Sequence, residues 1–550
     1  MECMLIDADP SRAAVDAQPI LLRGGRIVDG TGAPARRGDV LIRDGRIARI
    51  APSTSRIERD VKVIDADGLI VAPGFIDLHS HADFTIEDEA EARGQLAQGV
   101  TSIVTGNCGL SPFPLVDLAA LQEWTAFLGG EPSWQWRDTA GFVERVTASL
   151  PAVNVLPLVG HIPVRVAVMG GEQRDPRAAE LLLMRELVTT AMQQGAWGFS
   201  TGLIYAPGSF ASSKEVGALV SAAADAGALY ATHMRDETAG LLDALEEAIA
   251  AIEESAPGAR LQISHIKAMG PANHGLVPQA LERIDAARAE GLDIAADGYP
   301  YTASGTTLAS RLPSWALDGG LDDLCGRLEH AETRERIRTG LVERFEKGDF
   351  DPAGIVLNKL TEGRFTSARG QSLTQLARTL GTSPADAALT VLAEHRGIVG
   401  IINHAMSEAD VRAAIGHPLV AIASDGGSLE PGGEGATHPR AFGTFPRVFA
   451  KYVREEGTLS LAEAVRKCTS LPASRLGLRD RGVLKEGAIA DVVAFDPDGI
   501  RDRADYANPR QLATGVQTVL VAGRPAWMHG AATGLRSGRA LRRGSSAVAL

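Results

Sequence analysis

Long hydrophobic runs are missing from this 550-residue chain. None approaches the roughly 18 consecutive apolar residues that a membrane-spanning helix needs, so no membrane partner is expected. Basic charge is also short. The 55 Lys and Arg stand against 68 Asp and Glu, for a net charge of −13. Nucleic acid is therefore not expected as a general partner. Cysteine is rare, with four in the whole chain, at Cys3, Cys108, Cys325 and Cys468. Their scatter suggests no disulfide framework, and a reducing cytoplasm is the simpler location. The first ten residues, Met1 to Pro10, are acidic and lack an apolar h-region, so no signal peptide is expected.

What remains is globular composition, 45% hydrophobic and 22% charged. The length is too great for one ordinary core but suits one large barrel with an appendage. Residues 1–18 read as a loose leader. From Ile20 short strands alternate with Gly-rich turns, and Asp44-Gly45 between two apolar runs is a hairpin signal. Similar strands recur at Asp491–Phe495 and Val516–Ala526. Two β-rich ends around a different middle suggest one small β domain built from 19–70 and 482–528.

The middle, 71–481, alternates strand-like with helix-like segments, the pattern of an α/β fold with parallel strands. Candidate strands lie at 69–79, 101–107, 153–160, 196–200, 228–233, 261–265, 293–297 and 419–424. Eight units is the count of a (β/α)8 barrel, whose active site lies at the C-terminal ends of the strands. More than 100 residues separate the seventh strand from the eighth. An insertion at about 308–406, with secondary structure of its own, is expected there. The tail, 529–550, carries arginines among Gly and Ser and reads as disordered.

The candidate chemistry sits where these strands end. The first strand ends in His79 and His81, two imidazoles on one face about 7 Å apart. The second ends in Cys108, the fifth in His233, the sixth in His265 and the eighth in Asp425. Imidazole, thiolate and carboxylate are zinc ligands, and a barrel brings these six to one mouth. His161, just past the third strand, could polarise a substrate or simply be a bonded loop residue. The other histidines read as structural. Gly198-Phe-Ser-Thr-Gly202 mimics a nucleophile elbow but lacks the strand–elbow–helix setting, so a serine mechanism is disfavoured. The Gly-rich stretch Gly426–Thr437 reads as a mobile loop over the site.

Gly74-Phe-Ile-Asp-Leu-His-Ser-His-Ala-Asp83, Gly99-Val-Thr101 and Ser424-Asp425 resemble the amidohydrolase superfamily. Within it, Gly106-Asn-Cys-Gly-Leu-Ser-Pro112, Gly198–Tyr205, Thr232–Glu237, Ser264–Lys267, Asp297–Tyr301 and His438–Arg447 resemble the N-acyl-D-amino-acid deacylases. The likeness spans about 20–527. It implies a TIM barrel with a small β-sandwich made from both chain ends. It also implies a tight zinc on Cys108, His233 and His265, with His79, His81 and Asp425 as a second, weaker site. The bridging lysine of many superfamily members is missing, since no lysine precedes Lys214 in the fourth-strand region. The resemblance makes Asp425 general base and acid for hydrolysis of N-acyl-D-amino acids. It assigns the substrate carboxylate to Tyr205, Lys267 and Arg440, with Ser304 and Tyr299 or Tyr301 nearby. A cyclic-amide hydrolase of the hydantoinase or dihydroorotase kind is the alternative, and a non-catalytic scaffold a second.

Overall fold

The computed structural model describes residues 18–53, 60–255, 258–433 and 437–544. The expected leader thus lies almost wholly outside the described residues.

Eight short parallel strands form the barrel. They are Phe75–Asp77, Val100–Thr105, Asn154–Pro157, Gly198–Gly202, Leu229–His233, Arg260–Ile263, Asp293–Gly298 and Val420–Ile422. Their residues are almost all buried, because each strand is covered on both faces, and this explains the unbroken apolar runs. The third strand bends at Leu158, and its continuation Val159–Gly160 pairs with the fourth. Closure between the eighth strand and the first comes just past their ends. Asp425 N donates to His79 O at 2.8 Å, and His81 N donates to Gly426 O at 2.8 Å. That closure sets His79, His81 and Asp425 side by side.

The outer helices show why the chain coils as it does. In Leu241–Glu253 the buried residues Leu241, Leu245, Ala248, Ile249 and Ile252 recur at three- and four-residue spacing. Inside, Ile76, Leu78, Val104, Leu156, Leu229, Ala231 and Ala421 form one cluster with Leu471 and Leu541. The helix Ser470–Leu476 and the C-terminal segment thus plug the end of the barrel opposite the site.

A nine-stranded sheet combines both ends of the chain. Val492–Phe495 pairs antiparallel with Ile70–Pro73, which joins the two halves. The stretch 69–79, expected as one strand, is therefore two. Ile70–Pro73 belongs to this sheet and Phe75–Asp77 to the barrel. Gly74 is the crossing point, where a Cβ would lie 2.3 Å from Thr101 side-chain atoms. Between the seventh and eighth barrel strands lies a three-stranded antiparallel sheet of Ala303–Thr307, Ile355–Leu360 and Val399–His404, with its own helices. This unit begins at Ala303, ahead of the expected 308.

Residues 529–544 correct the reading of a disordered tail. Leu541 N donates to Val155 O at 2.8 Å, Val155 N donates to Arg539 O at 3.0 Å, and Trp197 Nε1 donates to Leu541 O at 2.6 Å. The start of the Gly-rich stretch is likewise anchored. Ser428 is fully buried, its N–H on Thr85 Oγ1 at 3.0 Å and its hydroxyl on Glu89 O at 3.1 Å.

Candidate metal centre and active site

Cys108 stands at the centre of the mouth. Its Sγ lies 3.3 Å from His79 Nε2, 3.5 Å from His233 Nδ1 and 3.3 Å from His265 Nε2. Two ligands of one tetrahedral zinc, one sulfur and one nitrogen, must lie about 3.5 Å apart. The spacing and the donor chemistry therefore fit a zinc ion. Asp425 Oδ1 is 3.5 Å from His79 Nε2 and 3.1 Å from His81 Nε2. The two ligand sets that the family resemblance implies adjoin, with His79 between Cys108 and Asp425.

The electrostatics agree. Burial alone would raise the Cys108 thiol, but His79 and His265, with a hydrogen bond from His233, hold it well below its ordinary value. Burial would lower His79 and His81, yet Cys108 and Asp297 raise the first, and Asp425 and Cys108 lift the second to about 9. Burial would raise Asp425 too, but Arg440 and His79 keep its carboxyl well below the usual range. Cys108, His265 and Asp425 all take left-handed backbone, at φ of 55°, 36° and 51°. Such strain at non-glycine residues gathers at functional sites.

Two carboxylates support these groups without having been singled out in the sequence. Glu237 Oε2 lies 3.1 Å from His233 Nε2, and its Oε1 lies 3.2 Å from His265 Nδ1. One buried carboxylate thus backs two imidazoles on the side away from Cys108. Asp297 Oδ1 accepts from His265 N at 2.7 Å and lies 3.3 Å from His79 Nδ1. Such outer groups fix imidazole orientation and tautomer. The sequence carries only slight signals of them: Glu237 is four residues past His233, and Asp297 is the penultimate residue of the seventh strand.

Of the residues assigned to the substrate, Arg440 is buried with Nη1 2.7 Å from Asp425 Oδ2, and its guanidinium lies 4.8 Å from the Tyr299 ring centre. The buried Tyr299 hydroxyl has no hydrogen-bond partner among the described residues. Tyr205 OH lies 3.0 Å from Thr306 Oγ1, and its ring centre is 5.2 Å from that of His233. Lys267 Nζ donates to Glu237 Oε1 at 2.5 Å and to His265 O at 3.0 Å, and lies 2.7 Å from His265 Nδ1. Ser304 points at the Met269 sulfur, 3.9 Å away. Tyr301 packs on Arg447, 4.9 Å from its ring centre. His161 is paired with Glu215 at 2.7 Å, beside Arg165, and is a buried structural group. Ser200, the centre of the elbow-like motif, is buried and bonded to Gly106 O and Gly109 N. No lysine lies in the fourth strand, Gly198–Gly202.

A cavity of about 770 Å³ opens over this cluster, and Asp425, His81, Tyr205, Arg440, Trp134 and Lys359 are among the residues that line it. A parallel barrel with imidazoles, a thiolate and a carboxylate gathered at this mouth defines a metal-dependent hydrolase. Residues 62–526 match the model of the amidohydrolase family. The chain is 37% identical over 539 residues to the N-acyl-D-glutamate deacylase of Alcaligenes xylosoxydans xylosoxydans, across 96% of this chain and 97% of that one. It is 35% identical to the D-aminoacylase of the same organism, across 96% and 99%. Among solved structures it is similar to the N-acyl-D-glutamate deacylase of Bordetella bronchiseptica, complexed with zinc and a phosphonate inhibitor that mimics the tetrahedral intermediate. That match has a TM-score of 0.80 and 35% identity, and covers 96% of this chain and all of the other. The chain belongs to the amidohydrolase family.

Proposed function

We propose that this chain hydrolyses the amide bond of N-acyl-D-amino acids, releasing a carboxylic acid and a free D-amino acid. The observation that carries the reading is Cys108 Sγ within 3.5 Å of three imidazole nitrogens, with the Asp425 carboxylate alongside. A thiolate at the end of the second strand, with no lysine in the fourth, separates this site from cyclic-amide hydrolases that bridge their metals with a lysine. Cys108, His233 and His265 would hold a tight zinc, and His79, His81 and Asp425 a weaker one. Zinc bound there polarises the acyl carbonyl and acidifies the attacking water.

The chain's own residues supply the rest. Asp425 is the base that takes the proton from the attacking water and the acid that returns it to the departing amine. Arg440, aligned by Asp425 and by the face of Tyr299, offers a planar fork to the substrate's α-carboxylate. Tyr299 and Tyr205 offer hydroxyls beside it. Lys267 adds positive charge, 5.9 Å from the Tyr299 ring centre, and Ser304 directly precedes Gly305 of the cavity wall. Glu237 and Asp297 position the imidazoles. No helix among the described residues is long and apolar enough to cross a membrane. The free thiols of Cys108, Cys325 and Cys468 favour a reducing cytoplasm.

The D preference rests on the relatives, an N-acyl-D-glutamate deacylase and a D-aminoacylase among them. The physical basis is a three-point reading of the α-carbon: acyl carbonyl, carboxylate and side chain. With two points fixed, the opposite enantiomer drives its side chain into a wall, a loss of a few kcal/mol or about a hundredfold. The test is a hydrolysis screen of paired N-acetyl D- and L-amino acids with zinc-loaded protein. Only the D-forms should turn over at an appreciable rate. Equal rates for both hands, or activity confined to hydantoins and dihydropyrimidines, would defeat the proposal.

A further inference from the structure

Three Lys or Arg side chains line the cavity over Asp425: Arg440, Arg510 and Lys359. Two of them answer to acids. Arg440 is paired with Asp425, and Glu89 and Glu430 act on Arg510. Lys359 has no acidic partner among the described residues, and burial alone acts on its ammonium, pulling it below the ordinary value. Its Nζ donates to Ala126 O at 2.9 Å, which takes one of its three N–H groups. Glu131, the other acid on the cavity wall besides Asp425, is exposed and forms no ion pair with it.

The backbone is shaped to bring this lysine to the cavity. Lys359 lies on the strand Ile355–Leu360, whose register against Val399–His404 shifts between Leu357 and Lys359. Asn358 is the extra residue of that bulge. It and Lys359 therefore both reach the cavity wall, where a regular strand would send one of them to the opposite face. Two glycines make room for the lysine, one at each end. A Cβ on Gly400 would lie 2.8 Å from Lys359 Cβ, and one on Gly129 would lie 3.0 Å from its Nζ. The Asn358 side-chain oxygen is buried with no hydrogen-bond partner among the described residues. Turned over, that amide presents N–H groups in the same place.

The sheet register measures how far this corner stands from Arg440. Arg440 Nη2 donates to Gly305 O at 3.4 Å. Thr307 and Lys359 both pair with Gly400. Lys359 is therefore two strands across and two residues along from Gly305, about 12 Å away by ordinary sheet spacing. The two carboxylates of a D-glutamate are separated by about 5 Å, which falls well short. An acid at the end of a succinyl or glutaryl arm stands about 7–9 Å from the α-carboxylate, and the lysine side chain reaches the rest. Tyr205 connects the two regions. Its ring centre lies 5.2 Å from that of His233 and 5.6 Å from that of Phe127, which follows Ala126. With the α-carboxylate on Arg440 and the acyl carbonyl at the Cys108 cluster, the arm beyond the carbonyl is the part of the substrate that leads to Lys359.

We propose that Lys359 and Asn358 form a subsite for a carboxylate at the end of the acyl arm, so that this chain acts on D-amino acids N-acylated by a dicarboxylic acid such as succinic or glutaric acid. This rests on the reading of the site as an N-acyl-D-amino-acid hydrolase, and deepens it by naming the acyl group. Hydrolysis breaks the amide C–N bond, adds the water's hydroxyl to the acyl carbon and its proton to the nitrogen, and releases a dicarboxylic acid with the D-amino acid. An ammonium next to a buried amide meets a carboxylate with charge-assisted hydrogen bonds, which a neutral amide of the same shape cannot form.

The experiment compares kcat/KM of the zinc-loaded full chain for N-acetyl, N-succinyl, N-glutaryl and N-succinamoyl derivatives of D-leucine and D-glutamate. Wild-type protein should favour the succinyl or glutaryl arm over the neutral succinamoyl arm by at least about thirtyfold, whichever amino acid carries it. Lys359→Met should bring that ratio near one by lowering the acidic arms more than the acetyl arm. Asn358→Leu should lower it in part. Wild-type indifference between the acidic and the succinamoyl arms overturns the inference without any variant, even if Lys359→Met fails to fold. An equal loss on acetyl and acidic arms in Lys359→Met also overturns it, and leaves Lys359 as a strap on Ala126. A preference for acidic arms that survives Lys359→Met unchanged overturns it too. So does a Lys359→Met that lowers N-acetyl-D-glutamate against N-acetyl-D-leucine and leaves the acyl-arm ratio alone, since the lysine then serves the amino-acid side chain. If no N-acyl-D-amino acid reacts at all, the underlying functional reading fails. If acetyl substrates react and acidic arms do not, that reading stands and only this subsite falls.

Discussion

Replacing Glu237 with glutamine removes the negative charge that backs two of the three imidazoles around Cys108. His233 presents Nδ1 to the Cys108 sulfur and Nε2 to Glu237 at 3.1 Å. His265 presents Nε2 to the sulfur and Nδ1 towards Glu237 at 3.2 Å. In His233 the nitrogen away from the cluster must carry the proton if the other is to offer its lone pair, whereas His265 Nδ1 also has Lys267 Nζ 2.7 Å away. The carboxylate selects that tautomer, and an amide selects it poorly. Glutamine also leaves Lys267, 2.5 Å away, without its countercharge, so a cation would face the imidazoles alone. An outer carboxylate of this kind is worth 10- to 100-fold in metal affinity. Because Glu237 serves two rings, the upper end applies: about a hundredfold weaker zinc binding, or about 2.7 kcal/mol. The assay is competition for zinc with a chromophoric chelator, with circular dichroism and a thermal melt as controls on the fold. Adding Lys267→Met to Glu237→Gln should recover part of the affinity, because the uncompensated cation is removed. Zinc affinity of folded Glu237→Gln within threefold of wild type would refute the argument.

Asp425→Asn should keep the fold, since asparagine tolerates left-handed backbone as aspartate does, and should cut turnover by roughly a hundredfold or more. Near-wild-type turnover would remove Asp425 from the proton transfer. Lys467 is fully buried on the helix Leu461–Cys468 and bonded to His417 O, and burial pulls its ammonium down to about 7. The unfolded chain holds this proton up to about pH 10.4, so folding carries the full penalty below about pH 7 and sheds it as the pH rises towards 10. Lys467→Met should therefore gain most over wild type near pH 6. That advantage should shrink by on the order of 4 kcal/mol by pH 10, as denaturant unfolding at both pH values would show. A pH-independent difference would show that burial leaves this lysine charged.

The sequence displays the barrel well because parallel strands covered on both faces leave continuous apolar runs, and polar residues at their ends mark the mouth. Cys108, His79, His233, His265 and Asp425 meet in the structure for that reason. Gly74 hid the boundary between the two units, because apolar residues continue on either side of it while the chain changes sheets. Glu237 and Asp297 were within quoted motifs, but a carboxylate beside a histidine has no period or spacing that separates a support from a surface charge. The C-terminal arginines read as a solvated tail because composition cannot show that Ala540 and Leu541 find an open strand end at Val155.

The left-handed backbone at Cys108, His265 and Asp425 sets fold against chemistry. Strain of this kind costs about 1–3 kcal/mol at a residue such as Cys108 or His265, and less at Asp425, since aspartate tolerates this backbone. Together they take a sizeable part of the margin of about 5–15 kcal/mol by which a domain outlasts its unfolded chain. Glycine at any of them relieves the strain and abolishes a group the site needs. The most robust form of this barrel is therefore an inactive one. A thermal screen run on it without an activity filter drifts towards glycine at these three positions and delivers a sturdier protein that does nothing.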